Sequence, residues 1–206
     1  MIFTPRMVTW LALATCSFSI QANSAPEYFT ISGFIGSRVN QDIQSHGSDE
    51  VASVSSELTE ALTIGWQYDT KSEGELLLSH SKQHFSFSEE STADMDVDVQ
   101  YLHIGGKILF TNPTPFSTNI GVGMGITYFN PNNQQYDPKT ALSANLSGGL
   151  RYQLSPQFAL RSDLRVYGTR FHTEKALFCD GNNCLLTLDN RFYLQTEVML
   201  GVEYKF

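Results

Sequence analysis

The sequence predicts an all-β fold, an eight-stranded antiparallel up-and-down transmembrane β-barrel. Three observations support this prediction. Apolar and polar residues alternate with period two over stretches of about ten residues. The connections between these stretches are alternately tight and long. The 206 residues are rich in glycine and aromatic side chains, yet only 17% of them are charged, against about 25% in an average soluble domain.

The composition also excludes several classes of protein. A disordered chain would carry more charge and fewer than 12% aromatic residues. The formal net charge of -8 repels nucleic-acid phosphates, so no nucleic-acid partner is expected. The mean hydropathy of -0.18 argues against a bundle of membrane-spanning helices.

Residues 1–24 are predicted to be a secretory signal peptide, which leaves residues 25–206 as the β-barrel. A basic start with Arg6 is followed by a mostly apolar run over residues 7–20. Ala22 and Ser24 then supply small residues at cleavage spacing, so cleavage is expected after Ser24. The apolar run is too short for a spanning helix, which needs about 20 residues.

Eight alternating stretches follow in order. They cover residues 28–39, 58–68, 75–87, 97–110, 119–129, 142–154, 158–170 and 192–206. In the last stretch, Val198 and Phe206 share an apolar face, and Gln195 lies on the polar face. The phase of the third and fourth stretches is open, because Gly105 and Gly106 predict a β-bulge that would shift it.

The connections predict how the barrel is oriented. Tight links occupy residues 69–74, 111–115 and 155–157, and longer, more polar links lie around residues 40–56, 88–96, 130–140 and 172–190. Short turns on one side and long loops on the other predict an outer-membrane barrel with both termini in the periplasm. Aromatic residues near strand ends, such as Trp66 and Tyr152, suit the bilayer interface. A soluble lipocalin-like or sandwich fold is the alternative, but the alternating glycines of residues 121–125 fit the crowded inside of a narrow barrel better.

Charged residues of the seventh and eighth stretches predict an ion-paired barrel interior. Arg161, Asp163 and Arg165 share one face, while Glu197 and Glu203 share the polar face of the stretch expected beside it. Side chains fill the interior of an eight-stranded barrel, so an unpaired charge there would be costly. We therefore predict a salt-bridged network, and a gated ion path is the alternative interpretation.

Two cysteines, Cys179 and Cys184, remain after the predicted cleavage and lie in the last long loop. In an exported chain, such a pair predicts a structural disulfide. A metal site would need two more soft ligands, and His172 is the nearest candidate.

Acidic residues crowd one predicted outer loop and the strand after it: Glu89, Glu90, Asp94, Asp96 and Asp98. The last three would share one face of an extended chain, where their oxygen atoms could bind Ca²⁺. No glycine follows at EF-hand spacing, so a solvated loop without metal is the main prediction.

His84 and Ser86 are two residues apart and therefore share one face of a strand. Some outer-membrane lipid A deacylases are barrels that use a His-x-Ser pair with an acidic partner as a nucleophile system. Here no acid is placed by its spacing, and a Gly-x-Ser-x-Gly elbow is absent. A lipid A-modifying hydrolase is therefore only the third hypothesis for function, and the chain is not expected to be an enzyme.

The C-terminus carries the most specific signal in the sequence. Val202, Tyr204 and the terminal Phe206 share one phase of the alternation. They resemble the C-terminal assembly signal of Gram-negative outer-membrane proteins. This resemblance implies recognition by the barrel assembly machinery during biogenesis.

Several motifs resemble the OmpA-like "outer membrane protein beta-barrel domain" family over essentially the whole mature chain. They are Tyr101-Leu-His-Ile-Gly-Gly106, Gly121-Val-Gly-Met-Gly125, Tyr136-Asp-Pro, and Ala176-Leu-Phe-Cys179 with Cys184. The closer resemblance is to a proteobacterial branch with a paired-cysteine last extracellular loop. It implies an integral protein of the cell outer membrane.

The expected role is structural or surface-interacting, carried by polar extracellular loops on a rigid scaffold. We expect a monomer whose partners are outer-membrane lipids and lipopolysaccharide. A narrow pore or channel for small solutes is the second hypothesis. No cofactor, catalytic residue or metal ligand is expected.

Overall fold

The computed structural model describes residues 28–40, 43–44, 51–54, 57–86, 95–111, 114–132, 137–171, 176–180, 183–187 and 192–206. The predicted signal peptide and three residues of the acidic loop, Glu89, Glu90 and Asp94, lie outside these ranges. In the described part of the chain, no helix has the length and apolar character needed to cross a membrane.

The described residues form strands throughout. They are β1 (Phe29–Asn40), β2 (Ile43–Gln44), β3 (Val51–Val54), β4 (Glu57–Asp69), β5 (Ser72–Ser86), β6 (Met95–Thr111), β7 (Phe116–Pro131), β8 (Lys139–Gln153), β9 (Phe158–Arg170), β10 (Ala176–Asp180), β11 (Asn183–Thr187) and β12 (Phe192–Lys205).

Eight long strands close into an antiparallel barrel, which confirms the predicted all-β fold. Their order around the barrel is β1, β4, β5, β6, β7, β8, β9 and β12, and β12 pairs with β1 to close the ring. Closure gives every barrel strand two hydrogen-bonded neighbours, so no long edge is left open. The short strands β2 and β3 extend from β5, and β10 pairs with β11 in a separate hairpin.

The pairing register around the barrel sets its shear. Following paired residues from Phe29 through each strand leads back to β1 at Val39, ten residues further along. Paired positions therefore climb by about 1.25 residues per strand. The strands of such a barrel tilt by about 40°, so each residue rises about 2.5 Å along the barrel axis.

The two ends of the barrel differ. We call the end that holds the tight turns after β4, β6 and β8 the turn end, and the opposite end the loop end. The start of β1 and the last residue also meet at the turn end, where the Phe206 amide donates to the Phe29 carbonyl over 2.9 Å. Aromatic side chains that are between 36% and 71% exposed surround the turn end: Phe29, Tyr68, Phe110, Phe116, Tyr152, Phe158, Tyr204 and Phe206.

The alternation in the sequence corresponds to two faces of one wall. On β9, Leu160 and Leu164 point outward and are about half exposed, whereas Arg161 and Arg165 are buried in the interior. An aqueous surface would not favour such an outward face, since it is apolar on every wall of the barrel except near the loop end. The wall thus has an apolar outside and a polar inside.

The β-bulge predicted at Gly105 and Gly106 is wrong. The register of β6 with both of its neighbours is continuous through these residues. A Cβ atom at Gly105 would meet the carbonyl oxygen of Val122, so the absent side chain lets β6 and β7 approach without an extra residue. Within the described barrel strands, the register shift falls instead between Gln67 and Asp69, beside a tight turn.

Candidate functional site

The candidate site is the barrel interior, where inward-facing residues of all eight long strands meet. In the half nearer the turn end, Asp163 accepts hydrogen bonds from Arg161 Nη2 at 2.6 Å and from Arg165 Nη2 at 3.0 Å. Arg165 Nη2 also donates to Glu75 Oε1 at 2.7 Å, and Glu75 forms a second ion pair with Lys107. The Asp163 carboxylate therefore lies between two guanidinium groups, and the Glu75 carboxylate joins the Arg165 guanidinium to the Lys107 ammonium group.

A second group of charges closes the interior nearer the turn end. Glu203 Oε2 accepts hydrogen bonds from Arg151 Nη2 at 2.8 Å and from Arg161 Nη1 at 3.2 Å. Arg151 Nη2 also donates to Glu73 Oε2 at 3.0 Å. Arg161 thus joins the two groups into one continuous network.

A separate ion pair lies in the interior nearer the loop end. Arg38 and Glu197 are both fully buried, with Arg38 Nη2 3.4 Å from Glu197 Oε1. Arg38 also donates to the hydroxyls of Ser81 at 2.8 Å and Ser79 at 2.6 Å, and Ser79 donates to Glu197 at 2.9 Å. These serines satisfy hydrogen-bonding positions that the ion pair alone would leave open.

Aromatic rings fill the same level of the interior. Tyr101 on β6 and Tyr167 on β9, three strands further round the barrel, stack with centroids 4.1 Å apart and planes 16° apart. The Arg38 guanidinium lies 4.9 Å from the centroid of Tyr101. His103 meets both tyrosine rings edge-on and hydrogen-bonds Ser143 Oγ at 2.6 Å. This layer crosses the whole lumen.

The interior charges balance. Among the residues that the structure describes, five buried cations face five buried carboxylates: Arg38, Lys107, Arg151, Arg161 and Arg165 with Glu73, Glu75, Asp163, Glu197 and Glu203. Burial of unpaired charges would be strongly unfavourable, so neutrality and pairing are what a dry interior requires. A gap beside Glu75 and His103 has a volume of about 10 Å³, room for roughly one water molecule.

The sequence identified half of this network. The structure brings Arg161, Asp163, Arg165 and Glu203 together. It places Glu197 apart from them, with Arg38. The remaining interior charges, such as Lys107, were not predicted from the sequence. They lie at inward positions of their strands, so the alternation of those strands could have identified them.

His84, the histidine proposed for a nucleophile system, faces outward from the barrel wall, and so does His80 on the same strand. His84 Nδ1 is 2.7 Å from Asp96 Oδ1, and His80 Nε2 is 3.3 Å from Asp98 Oδ1. The structure thus supplies the acidic neighbour of His84 that spacing did not reveal. The side chain of Ser86 lies outside the described residues.

The remaining predicted sites are partly described. Cys179 and Cys184 are directly opposite in the β10–β11 register, but their side chains lie outside the described residues. In the part of the chain that the structure describes, no group of three metal-binding side chains is present. At the C-terminus, Val202, Tyr204 and Phe206 face outward, and the Tyr204 ring lies 4.9 Å from that of Phe206.

Comparison with known proteins bears on the whole barrel. The family model for "Outer membrane protein beta-barrel domain" matches residues 8–206. No curated protein matches the chain. Among solved structures, Neisserial surface protein A is 10% identical with a TM-score of 0.57 and covers 87% of this chain and 97% of its own.

Two further solved structures have the same fold. The outer membrane protein OprG from Pseudomonas aeruginosa is 15% identical with a TM-score of 0.56, and the alignment covers 87% of this chain and 95% of OprG. The outer membrane protein AlkL, solved in lipid bilayers, is 16% identical with a TM-score of 0.57, covering 90% and 94%. At these identities the similarity concerns the fold alone.

Proposed function

The chain belongs to the outer membrane protein beta-barrel domain family and is an integral outer-membrane protein, and from this premise we propose that it is a closed scaffold acting through its surfaces. Its long extracellular loops would carry a structural or surface-interacting role. Its lumen would not conduct solutes.

The single observation that supports this proposal is the paired, neutral interior. Five buried cations and five buried carboxylates of the described strands occupy the lumen, and the Tyr101–Tyr167 stack lies across it toward the loop end. A solute would have to break several buried ion pairs and separate the two rings to pass. A water-filled pore needs neither of these features.

The orientation that we propose places both termini in the periplasm and the loop end outside the cell. Outer-membrane barrels have short periplasmic turns and longer extracellular loops. The tight turns lie at the end where Phe29 and Phe206 meet. Phe206 at this end also suits the proposed recognition of the C-terminal strand by the barrel assembly machinery.

We further propose a monomer in contact with outer-membrane lipids and lipopolysaccharide, with no nucleic-acid partner. Barrel closure supports the monomer, since no wall strand is left to pair with another copy. The net charge of -8 disfavours nucleic acid.

Planar-bilayer recording tests the closed lumen. We expect the purified full-length chain to insert without stable current steps. The double variant Tyr101→Ala/Tyr167→Ala removes only the stacked rings and should stay closed, because the ion pairs nearer the turn end remain. A reference porin in the same bilayer shows that the assay detects an open barrel. Large, stable steps from the unmodified protein would instead favour the narrow pore.

We propose that the protein has no enzymatic activity, and one assay separates this proposal from lipid A hydrolysis. Mass spectrometry of lipid A is compared in cells with no copy, the unmodified protein, or His84→Ala. We expect three identical lipid profiles. Loss of an acyl chain that depends on His84 would contradict the proposal.

A further inference from the structure

A polar patch interrupts the apolar outer face of the barrel near the loop end. We name it the β4–β6 patch, and its residues are Glu60, His80, Lys82, His84, Asp96, Asp98 and Gln100. By the alternation of their strands these side chains point away from the lumen, and none of them is buried. The interior network does not include them.

The patch is a connected surface across three neighbouring strands. Glu60 lies directly opposite His80, and Lys82 lies directly opposite Asp98. The His80–Asp98 and His84–Asp96 contacts cross between β5 and β6 at 3.3 Å and 2.7 Å. Even so, the His84 and Asp96 side chains remain 43% and 59% exposed, so both can make further contacts.

The patch lowers the apolar band on one side of the barrel. We measure heights along the barrel axis from Phe206, the lowest of the aromatic residues at the turn end, and include the climb of about 1.25 residues per strand. On this scale the outward apolar side chains of β5 end at Leu78, at a height of about 20 Å. On β1, β7, β8 and β12 the last outward apolar side chains, Val39, Tyr128, Leu142 and Leu194, lie at about 28 Å, whereas on β9, directly opposite β5, the last one is Val166 at about 22 Å. The apolar band of an outer-membrane barrel is about 25 Å tall. The lower part of the patch, Glu60, His80, Lys82 and Gln100, therefore lies at heights where four other walls still face lipid chains, and Asp98, His84 and Asp96 lie above it.

The chemistry of the patch fits a sugar headgroup. Lys82 and the histidines offer donors, Glu60 and the aspartates offer acceptors, and Gln100 offers both. Sugar hydroxyls use both kinds of group, and the phosphates of a glycolipid would meet Lys82 directly or the carboxylates through a divalent cation.

The size of the patch argues against a second copy of the chain as its occupant. Three strands at their usual spacing and five residues along β5 give an area on the order of 150 Å². A stable protein interface needs about 800 Å² on each partner. A lipid headgroup needs far less.

We propose that the β4–β6 patch binds the phosphorylated sugar headgroup of outer-leaflet lipopolysaccharide, drawing the headgroup layer lower here than beside β1, β7, β8 and β12. The proposal depends on the outer-membrane placement and on the loop end being outermost. It does not depend on whether the lumen conducts.

The test compares two cations on opposite walls. Lys82 on β5 and Arg170 on β9 both face outward, and after the shear correction they lie within about one residue of the same height. Lys82→Gln and Arg170→Gln remove the same charge, and only the first removes it from the patch. Both positions are outside the core, and heat-modifiable gel mobility checks that each variant folds.

Fluorescent rough-type lipopolysaccharide is titrated into nanodiscs of phosphatidylethanolamine and phosphatidylglycerol that hold the full-length protein, with Mg²⁺ present. We expect Lys82→Gln to weaken lipopolysaccharide binding about five-fold and Arg170→Gln to change it less than two-fold. Equal effects, or none for Lys82→Gln, would overturn the proposal. Conductance of the unmodified protein would refute only the closed lumen and leave this result standing.

A second measurement reports the headgroup depth. Polarity-sensitive probes are attached at Leu78→Cys and at Leu164→Cys, its counterpart at nearly the same height on the opposite wall, with the native cysteines replaced by serine. In lipopolysaccharide bilayers the probe at 78 should report a more polar environment than in phospholipid, and the probe at 164 should not. Equal responses at both sites would overturn the proposal. Crosslinked dimers formed through Gln100→Cys would also overturn it, by showing that a second copy occupies the patch.

Discussion

Removal of one interior carboxylate, by Asp163→Asn, is the change that should most reveal how the barrel is stabilised. Asp163 is 1% exposed and accepts hydrogen bonds from two guanidinium groups, at 2.6 Å from Arg161 and 3.0 Å from Arg165. Asparagine has nearly the same shape and no charge. The variant therefore leaves five buried cations facing four carboxylates.

The expected cost is about 3 kcal/mol in the free energy of unfolding. Breaking a buried ion pair by removing one partner costs about 3–5 kcal/mol, because the other charge stays buried without compensation. The lower end applies here because Glu75 remains 2.7 Å from Arg165 and 3.6 Å from Arg161. A charge-balanced double variant, Asp163→Asn/Arg165→Gln, should cost about 2 kcal/mol less than the sum of the single variants.

Urea unfolding in lipid vesicles measures these values. Trp66 is the one tryptophan outside the predicted signal peptide, so its fluorescence reports the barrel, and heat-modifiable gel mobility gives a second probe. Asp137→Asn is the matched control, since Asp137 is exposed beside the start of β8 and its change should stay within about 0.5 kcal/mol. The reasoning is refuted if Asp163→Asn costs no more than this control, or if the double variant shows no coupling. Either result would mean that the interior charges are hydrated.

Three other outcomes follow from the barrel wall and its ends. Gly125→Ala should destabilise the barrel by about 1–3 kcal/mol in the same urea assay, because its Cβ would meet the backbone of β6. Gly33→Ala is the control and should be neutral, because a Cβ at Gly33 meets nothing within 4 Å. Deletion of Phe206 removes an aromatic contact and a backbone hydrogen bond at barrel closure, so the yield of heat-modifiable protein in the outer membrane should fall several-fold while the yield of inclusion bodies does not. Because Cys179 and Cys184 are paired in register, they should resist maleimide-polyethylene glycol in the unreduced mature protein and gain two labels after reduction; labelling without reductant would exclude the disulfide.

The fold was predictable because strand alternation depends only on which face of the wall a residue occupies. Leu160 and Arg161 need no knowledge of distant residues to be assigned outward and inward. The incorrect bulge at Gly105 arose because a glycine pair in a strand has two explanations, an extra residue or a close approach between strands. The sequence contains no signal that separates them, whereas the register does.

The site was less predictable because its pairs form across the lumen. Arg38 and Glu197 are separated by 159 residues, and which inward residues meet depends on the strand order and the shear. Likewise, the acid beside His84 is twelve residues away, at a position fixed by the β5–β6 register rather than by sequence spacing. Period two thus predicts the lining of the lumen, and the register determines which lining residues pair.

The most direct test of a filled lumen is whether a water-soluble reagent can reach an inward side chain at the middle of the barrel wall. Ser147→Cys places a thiol of nearly the same size at an inward position that is 5% exposed, in a variant whose native cysteines are replaced by serine. Thr70→Cys, at an exposed tight turn, is the positive control. A filled lumen predicts that a charged methanethiosulfonate reagent labels position 70 within minutes and position 147 only after unfolding. Rapid labelling of position 147 in the folded barrel would contradict the account.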